Sequence, residues 1–573
     1  MNSGNMRLFI ACFIALIATS FGFIIRALTM DTWAAEFGFS ETQKGEIFGV
    51  GLWPFAISIV LFSLIIDKIG YGKAMFFAFI CHLGSIALTI YAYKFKPAAG
   101  LPAAEADQMR QSAYWILYFA NFIVALANGT VEAVINPVVA TMFSRDKTKW
   151  LNILHAGWPG GLVLAGLLVI GMKNYAPELQ LIPDAPVWCT RVLLLAIPVV
   201  LYGLLMLGCK FPVNERVAAG VSYRDMLKEV GFLGALVVTS LIVFEVTRVL
   251  EGMDAVKLFG GAEWSKVVYT LELGKFQFPI EMKLAVKLGI ILGISLLFGL
   301  WVLSLGRFMF FFLMLIMIPL AITELGTDTW ITSLMEPEMA ALGISMGVGK
   351  LDPAWVLIYT SAIMMILRLF FAGPIVHKLT PLGLLAVSAL IAAVGLMALS
   401  KSTGIMILVA ATLYGFGKTF FWPTMLGVVS EQFPKGGALT LNMMGGVGML
   451  GVGVLGAALL GNIQDQNIDS TLKKEHTALH DKVMGQTKAS LFGPYQPIDN
   501  DKLAKLSDDD KKTVKDIQDG SKKSALFSLT DISVVVFPIF MLVCYLILIL
   551  YFKGRGGYKA ELLPTGQPAG GFH

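Results

Sequence analysis

Apolar runs of about 20 residues recur along the whole chain, and no other feature restricts its fold as strongly. Inside a bilayer every backbone N–H and C=O must be satisfied within the protein, so such runs form helices or a closed barrel. Their length and unbroken hydropathy point to helices. Of 573 residues, 56% are hydrophobic and 14% charged, with a mean hydropathy of +0.74; a soluble chain carries about 25% charged residues. The chain therefore reads as an all-α polytopic membrane protein in contact with a lipid bilayer.

The run LFIACFIALIATSFGFII behind Arg7 is long for a signal-peptide core and leads into more helix without a small-residue cleavage site, so it reads as an uncleaved first span. About 14 spans follow from the segmentation: six beginning near residues 8, 45, 73, 112, 149 and 187, two near 231–248 and 284–304, and six near 307, 353, 382, 404, 437 and 527. With the N-terminus in the cytoplasm, the inner loops read DKIGYGK, SRDKTK, KFPVNERVAAGVSYRDMLKE, HKLTP, EQFPKGG and KGRGGYK. That is the basic bias expected of cytoplasmic loops in a cell membrane, and an even count puts both termini there. Cys12, Cys81, Cys189, Cys209 and Cys544 are scattered and imply no disulfide framework or metal site. The net charge of +5 calls for no nucleic-acid partner. A polar stretch at about 462–524 falls outside between the last two spans. Its His476 and His480 have a spacing that can bind zinc, but a solvated helix face is the preferred reading, and neither metal nor cofactor is expected.

The two ends of the chain repeat each other. Asp31-Thr32-Trp33 matches Asp328-Thr329-Trp330, SLIIDKIG matches GPIVHKLT, GTVEAVINP matches GFGKTFFWP, and LNILHAGWPGG matches LNMMGGVGMLG. Glu132 thereby stands opposite Lys418, and Asn152 opposite Asn442. The division expected is a six-helix bundle at 1–212, a linker with two extra helices at 213–305, and a second six-helix bundle with the outer insert at 306–573.

Two six-span repeats, a basic central loop and the turn SLIIDKIGYGK resemble the major facilitator superfamily across nearly the whole chain. The superfamily's turn reads G-x-x-x-D-R/K-x-G-R/K-R/K; here Ser63 replaces the first glycine and one extra residue precedes Lys73. The two inserted spans are similar to those of fourteen-span members. Within the superfamily, EAVINP resembles the E-x-x-x-N-P element of the fucose permease-like sugar symporters, whose glutamate is implicated in proton coupling. The resemblance maps that element onto Glu132, Asn136 and Pro137. In span 1 those symporters carry an acidic residue where this chain has Arg26 or Ala27.

Helical spacing supplies a separate reading. Asn121, Asn128, Glu132 and Asn136 share one face of span 4, and Tyr414, Lys418 and Trp422 share the matching face of span 10. Arg26, Glu132, Glu324, Arg368 and Lys418 lie within apolar runs, where a charge costs about 2.5–3.5 kcal/mol even on permissive scales, so they face protein or water. Four of them sit on spans 1, 4, 7 and 10, which in the superfamily line the central cavity. Burial raises a carboxyl's pKa and a nearby cation lowers it, so a carboxylate whose cation moves away can load and release a proton. Glu132 is the proton-coupling candidate with Arg26 as its cation, and Glu324 is the second. Each charge has an alternative reading as a helix-to-helix ion pair, Glu324 with Arg368 or Lys418. Asn128, Asn136, His155, Tyr414 and Trp422 are cavity candidates, with ordinary core packing as the alternative for His155, Trp158, Tyr414 and Trp422. Asp67 and Lys68 read as the inner gate, with plain loop charge as the alternative, and Asp31 and Asp328 read as gating residues, Asp328 near the outer mouth. Gly445 to Gly456 could be a sliding surface or close static packing.

The function expected is a proton-coupled symporter of a small polar solute, with sugar the leading class, working as a monomer. An organic anion or sugar acid bound by Arg26, Arg368 and Lys418 is the rival substrate. GWPGG only distantly approximates the span 5 element of drug exporters. A transporter-like sensor lacks a large cytoplasmic domain, and no nucleophile–base set supports an enzyme.

Overall fold

The computed structural model describes residues 3–39, 41–98, 100–252, 268–273, 276–327, 354–490, 493–499, 502–503, 505–527 and 533–563. Among them, 13 continuous helices are long and apolar enough to cross a membrane. One more crossing is split into Met406–Lys418 and Phe421–Gln432. Core spans 1 to 6 are Gly4–Phe37, Gln43–Ile69, Tyr71–Phe95, Ala103–Met142, Lys147–Tyr175 and Val187–Met206. Core spans 7 to 12 are Phe308–Gly326, Leu357–Leu379, Pro381–Lys401, the split pair, Pro434–Gly456 and Val536–Lys553. The added spans, Tyr223–Leu250 and Leu284–Val302, pack on each other, and the first of them lies beside spans 7 and 11.

Proline shapes several core spans, because it has no N–H to give the carbonyl four residues earlier. Span 4 runs on through Pro137. Span 5 is interrupted between Leu154 and Gly157, just before Pro159, and span 10 is interrupted just before Pro423. Spans 7, 8 and 11 each contain a π-helical turn, at Ile322–Gly326, Leu367–Phe371 and Gly451–Gly456. Such turns displace side chains from the regular helical face and concentrate at functional sites; here the first holds Glu324 and the second Arg368.

The first six core spans meet the last six through span 2 against span 11, span 4 against span 11, and span 5 against spans 8 and 10. The approach at span 11 is close: a Cβ added to Gly446 would lie 2.7 Å from a Val60 methyl. That part of the glycine stretch is therefore tightly packed against span 2. The first added span kinks at Gly231, whose φ of +52° favours glycine, and the residues just after it bond to the backbone at 304 and 305.

All membrane crossings are helical, as expected. Between them lie two short antiparallel ribbons, Val268–Leu273 with Phe276–Glu281 and Lys488–Ser490 with Gly493–Tyr495. The insert after span 11 begins as a helix, Ala457–Glu475, joined by Thr477–Val483 and Asp508–Leu526. Ile468, Leu472, Leu479, Val483, Met484 and Val514 give it a small apolar core of its own. Ser507 caps the last of these helices by accepting the Asp510 N–H, and Asp508, Asp509 and Asp510 favour its positive end.

Candidate functional site

Glu132, Glu324 and Arg368 meet where spans 4, 5, 7, 8 and 10 converge. Glu132 of span 4 is 6% exposed, and its Oε2 accepts a 2.6 Å hydrogen bond from Asn136 Nδ2, one turn along. Asn136 Oδ1 in turn accepts from His155 Nε2 at 2.9 Å. The chain Glu132–Asn136–His155 thus joins span 4 to the interruption of span 5.

Arg368 of span 8 is 1% exposed and holds three separate acceptors. Its Nη2 donates to Glu324 Oε1 at 2.7 Å, its Nε to the Thr419 carbonyl at 2.6 Å and its Nη1 to the His155 carbonyl at 2.9 Å. Glu324 Oε2 accepts the Trp422 N–H at 2.8 Å. The split in span 10 leaves a negative carbonyl end at Thr419 and a positive amide end at Trp422. The guanidinium sits on the first and the carboxylate on the second. Fork geometry explains why arginine occupies this place, since a lysine presents a point charge rather than a planar set of donors.

These groups line one cavity of about 30 Å³, with Glu132, His155 and Trp158 on one side and Glu324, Arg368 and Trp422 on the other. That is room for a water or two, so the halves must separate to admit a solute. A larger hollow of about 810 Å³ lies between spans 3 and 6 around Tyr71 and Phe211 and contains none of the buried charges named above.

The remaining candidates are distributed as follows. Arg26 of span 1 has no hydrogen-bond or ion-pair partner among the described residues, and Glu132 is held by Asn136 instead. Asn128 accepts from His82 Nε2 at 3.0 Å, while Tyr202 bonds to His82 Nδ1, also at 3.0 Å, so this amide faces spans 3 and 6. Tyr414 is fully buried, with its hydroxyl on the Thr323 carbonyl and 2.8 Å from Thr327 Oγ1. Lys418 is 1% exposed, with Nζ 5.7 Å from the Tyr414 ring centre. Asp31 is exposed and pairs with Lys44 at 2.7 Å. Asp328 lies outside the described residues. In the insert, His480 is engaged by Asp469 at 2.9 Å and Asp481 at 3.1 Å.

At the DKIG end the halves are tied shut. Asp67 pairs with Arg216 of the central linker, and Lys68 lies over the Tyr223 ring. Thr148 Oγ1 donates to Glu431, and Lys147 donates to Glu215 and to the Ser430 carbonyl. Tyr558 of the C-terminal segment also donates to Glu431, at 2.8 Å. Sequence reasoning mapped Pro137 onto the symporters' element but did not find Arg216, Asn442, Pro159 or Pro423 as parts of the site. The prolines carried a readable signal, since each one frees the carbonyl four residues before it.

A family model described as Major Facilitator Superfamily matches residues 8–356. No curated protein matches the chain. Among solved structures, a variant of the Escherichia coli fucose:proton symporter is 15% identical, covers 80% of this chain and 93% of its own, and superposes with a TM-score of 0.50. A bacterial homologue of the human drug peptide transporters is 11% identical over 96% of this chain and 99% of that one, with a TM-score of 0.52. A human organic anion transporter is 11% identical over 95% and 100%, with a TM-score of 0.51. At such identities the likeness concerns the fold.

Proposed function

The chain belongs to the Major Facilitator Superfamily, and from that premise we propose that it carries a small polar solute by alternating access, coupled to a proton held on Glu132. It is a multi-pass membrane transport protein; the coupling ion and the solute class are the proposal. The observation that carries it is the unequal commitment of the two cavity carboxyls. Glu324 is built into the split of span 10, between Arg368 and the Trp422 N–H. Glu132 has the single Asn136 amide, itself shared with His155. Glu132 can therefore gain or lose a proton without dismantling a helix.

The same arrangement favours a hydroxylated, sugar-like solute over an organic anion. Three of the Arg368 donor directions are committed to Glu324 and two carbonyls, and Arg26 is not among the residues lining the cavity. A solute rich in O–H groups would meet an acceptor in Glu132, which lines the cavity. With the basic loops on the cytoplasmic side, the DKIG end and both termini lie inside, the closed end is the inner one, and proton and solute cross in the same direction.

The test is proton flux in proteoliposomes under an acid-outside gradient, with neutral sugars and polyols, sugar acids and small organic anions added in turn. A neutral hydroxylated solute should accelerate proton entry. Acceleration by anions alone would overturn the solute class, and tracer exchange without proton movement would overturn the coupling.

A further inference from the structure

Pro137, Pro159 and Pro423 each free one carbonyl that a side chain takes up, whereas among the described residues no side chain is seen to do so for Pro319 within span 7. Pro137 leaves the Ala133 carbonyl without its helical donor, Pro159 leaves that of His155, and Pro423 leaves that of Thr419. Asn442 Nδ2 donates to Ala133 O at 2.8 Å, and Arg368 donates to His155 O at 2.9 Å and to Thr419 O at 2.6 Å. The first two bonds cross from one half of the molecule to the other. All the groups are shut away from solvent: Ala133 is 0%, Asn442 1% and Arg368 1% exposed.

We propose that the carbonyls freed by Pro137 and Pro159 are catch points between the halves, and that Asn442 and Arg368 are the positioning residues that engage them when the protein closes around its cavity. In a regular helix each carbonyl has already given one lone pair to its own helix and offers only the second, as Ala120 O does to Ser85 Oγ at 2.7 Å, so no wholly uncommitted acceptor is available at membrane depth. A proline creates one at a chosen place. The repeat supports a designed contact: Ala133 with Pro137 corresponds to Thr419 with Pro423, and Asn152, the counterpart of Asn442, donates to Thr424 Oγ1 of span 10 at 3.1 Å.

The catch can open without unfolding. Parting the halves strands the Ala133 and His155 carbonyls unless another donor replaces the side chains, which water or a solute hydroxyl in the widened cavity can do. Asn442 Oδ1 and Asn152 Oδ1 are buried with no hydrogen-bond partner, and opening would let water satisfy them too. The closed state is thus held by specific bonds and offset by unpaired oxygens, which suits an equilibrium that must run both ways.

The inference rests on the alternating-access reading, but its test needs neither solute nor proton gradient. Full-length protein in lipid nanodiscs is followed by hydrogen exchange in the closed-end loops, residues 143–148 and 433–437. Asn442→Ala should speed exchange there by about three- to tenfold, the worth of one hydrogen bond. Pro137→Ala returns an N–H to the Ala133 carbonyl and should act in the same direction. The double variant should exchange no faster than the faster single variant, because both remove the same contact. The insert at 468–484 should stay at the wild-type rate in all three, which a general loss of stability would not allow. Asn442→Leu keeps the branched outline of the side chain without its donor and repeats the comparison if the alanine variant folds poorly. Multiplying effects in the double variant, or unchanged exchange in Asn442→Ala, would overturn the catch. Failure of the solute-driven proton flux would instead count against the transport reading alone.

Discussion

Arg368 concentrates the chemistry of the site in one side chain. Its guanidinium and the Glu324 carboxylate are 2% and 4% exposed, at 2.7 Å, so each is the other's nearest counter-charge in a buried setting. Removing one partner of such a pair costs about 3–5 kcal/mol. Arg368→Ala should therefore lower the thermal midpoint sharply, and adding Glu324→Gln should recover part of the loss. Arg368→Lys keeps the charge but not the fork and should reduce transport about tenfold or more; wild-type transport in that variant would show that charge alone suffices. The five charges within apolar runs, of which Glu132, Glu324, Arg368 and Lys418 are buried, were legible because a charge in an apolar run has few innocent explanations. Their pairing was not. Helical spacing gives the face of one helix and says nothing about how its neighbour is turned, so Arg26 reads as the cation for Glu132 although Asn136 holds that carboxyl. For the same reason Asn128 shares a face with Glu132 in the sequence yet bonds to His82.

At the scale of elements, the helix interruptions are where sequence and site connect. Proline positions mark where carbonyls come free, and the split of span 10 is capped at both ends by the ion pair. The ribbon at 268–281 also left a trace, since VVYTLEL and FQFPIE alternate apolar and polar residues around Gly-Lys. The stronger apolar runs on either side hid it. The insert stands on its own small core, and its hairpin is pinned at Asp469. Burial pushes that carboxyl upward, but hydrogen bonds from Lys473 at 2.7 Å and His480 at 2.9 Å outweigh it and hold the group below the usual carboxylate range. A depressed carboxyl stabilises the fold above its unfolded value of about 3.9 and loses that contribution as the pH falls through the lower folded value. Asp469→Asn should thus loosen residues 468–484 at neutral pH, seen as faster hydrogen exchange there. The wild type should approach that behaviour only in acid below about pH 4. Equal exchange in both proteins at neutral pH would mean the apolar core alone holds the insert.

For the whole molecule, two repeats facing each other across a cavity of about 30 Å³ describe a closed transporter. The repeat and the spans were legible because both are written in hydropathy and in motif order. The closure itself was not, since it depends on contacts hundreds of residues apart, such as Thr148 with Glu431 and Asn442 with Ala133. The central claim is that the proton crosses on Glu132 while Glu324 serves the architecture of span 10. Its most direct test is uphill accumulation of a transported solute in proteoliposomes under a pH gradient, comparing the wild type with Glu132→Gln. The account predicts that the variant loses gradient-driven accumulation and proton current yet still exchanges solute across the membrane. Undiminished accumulation in Glu132→Gln would contradict it.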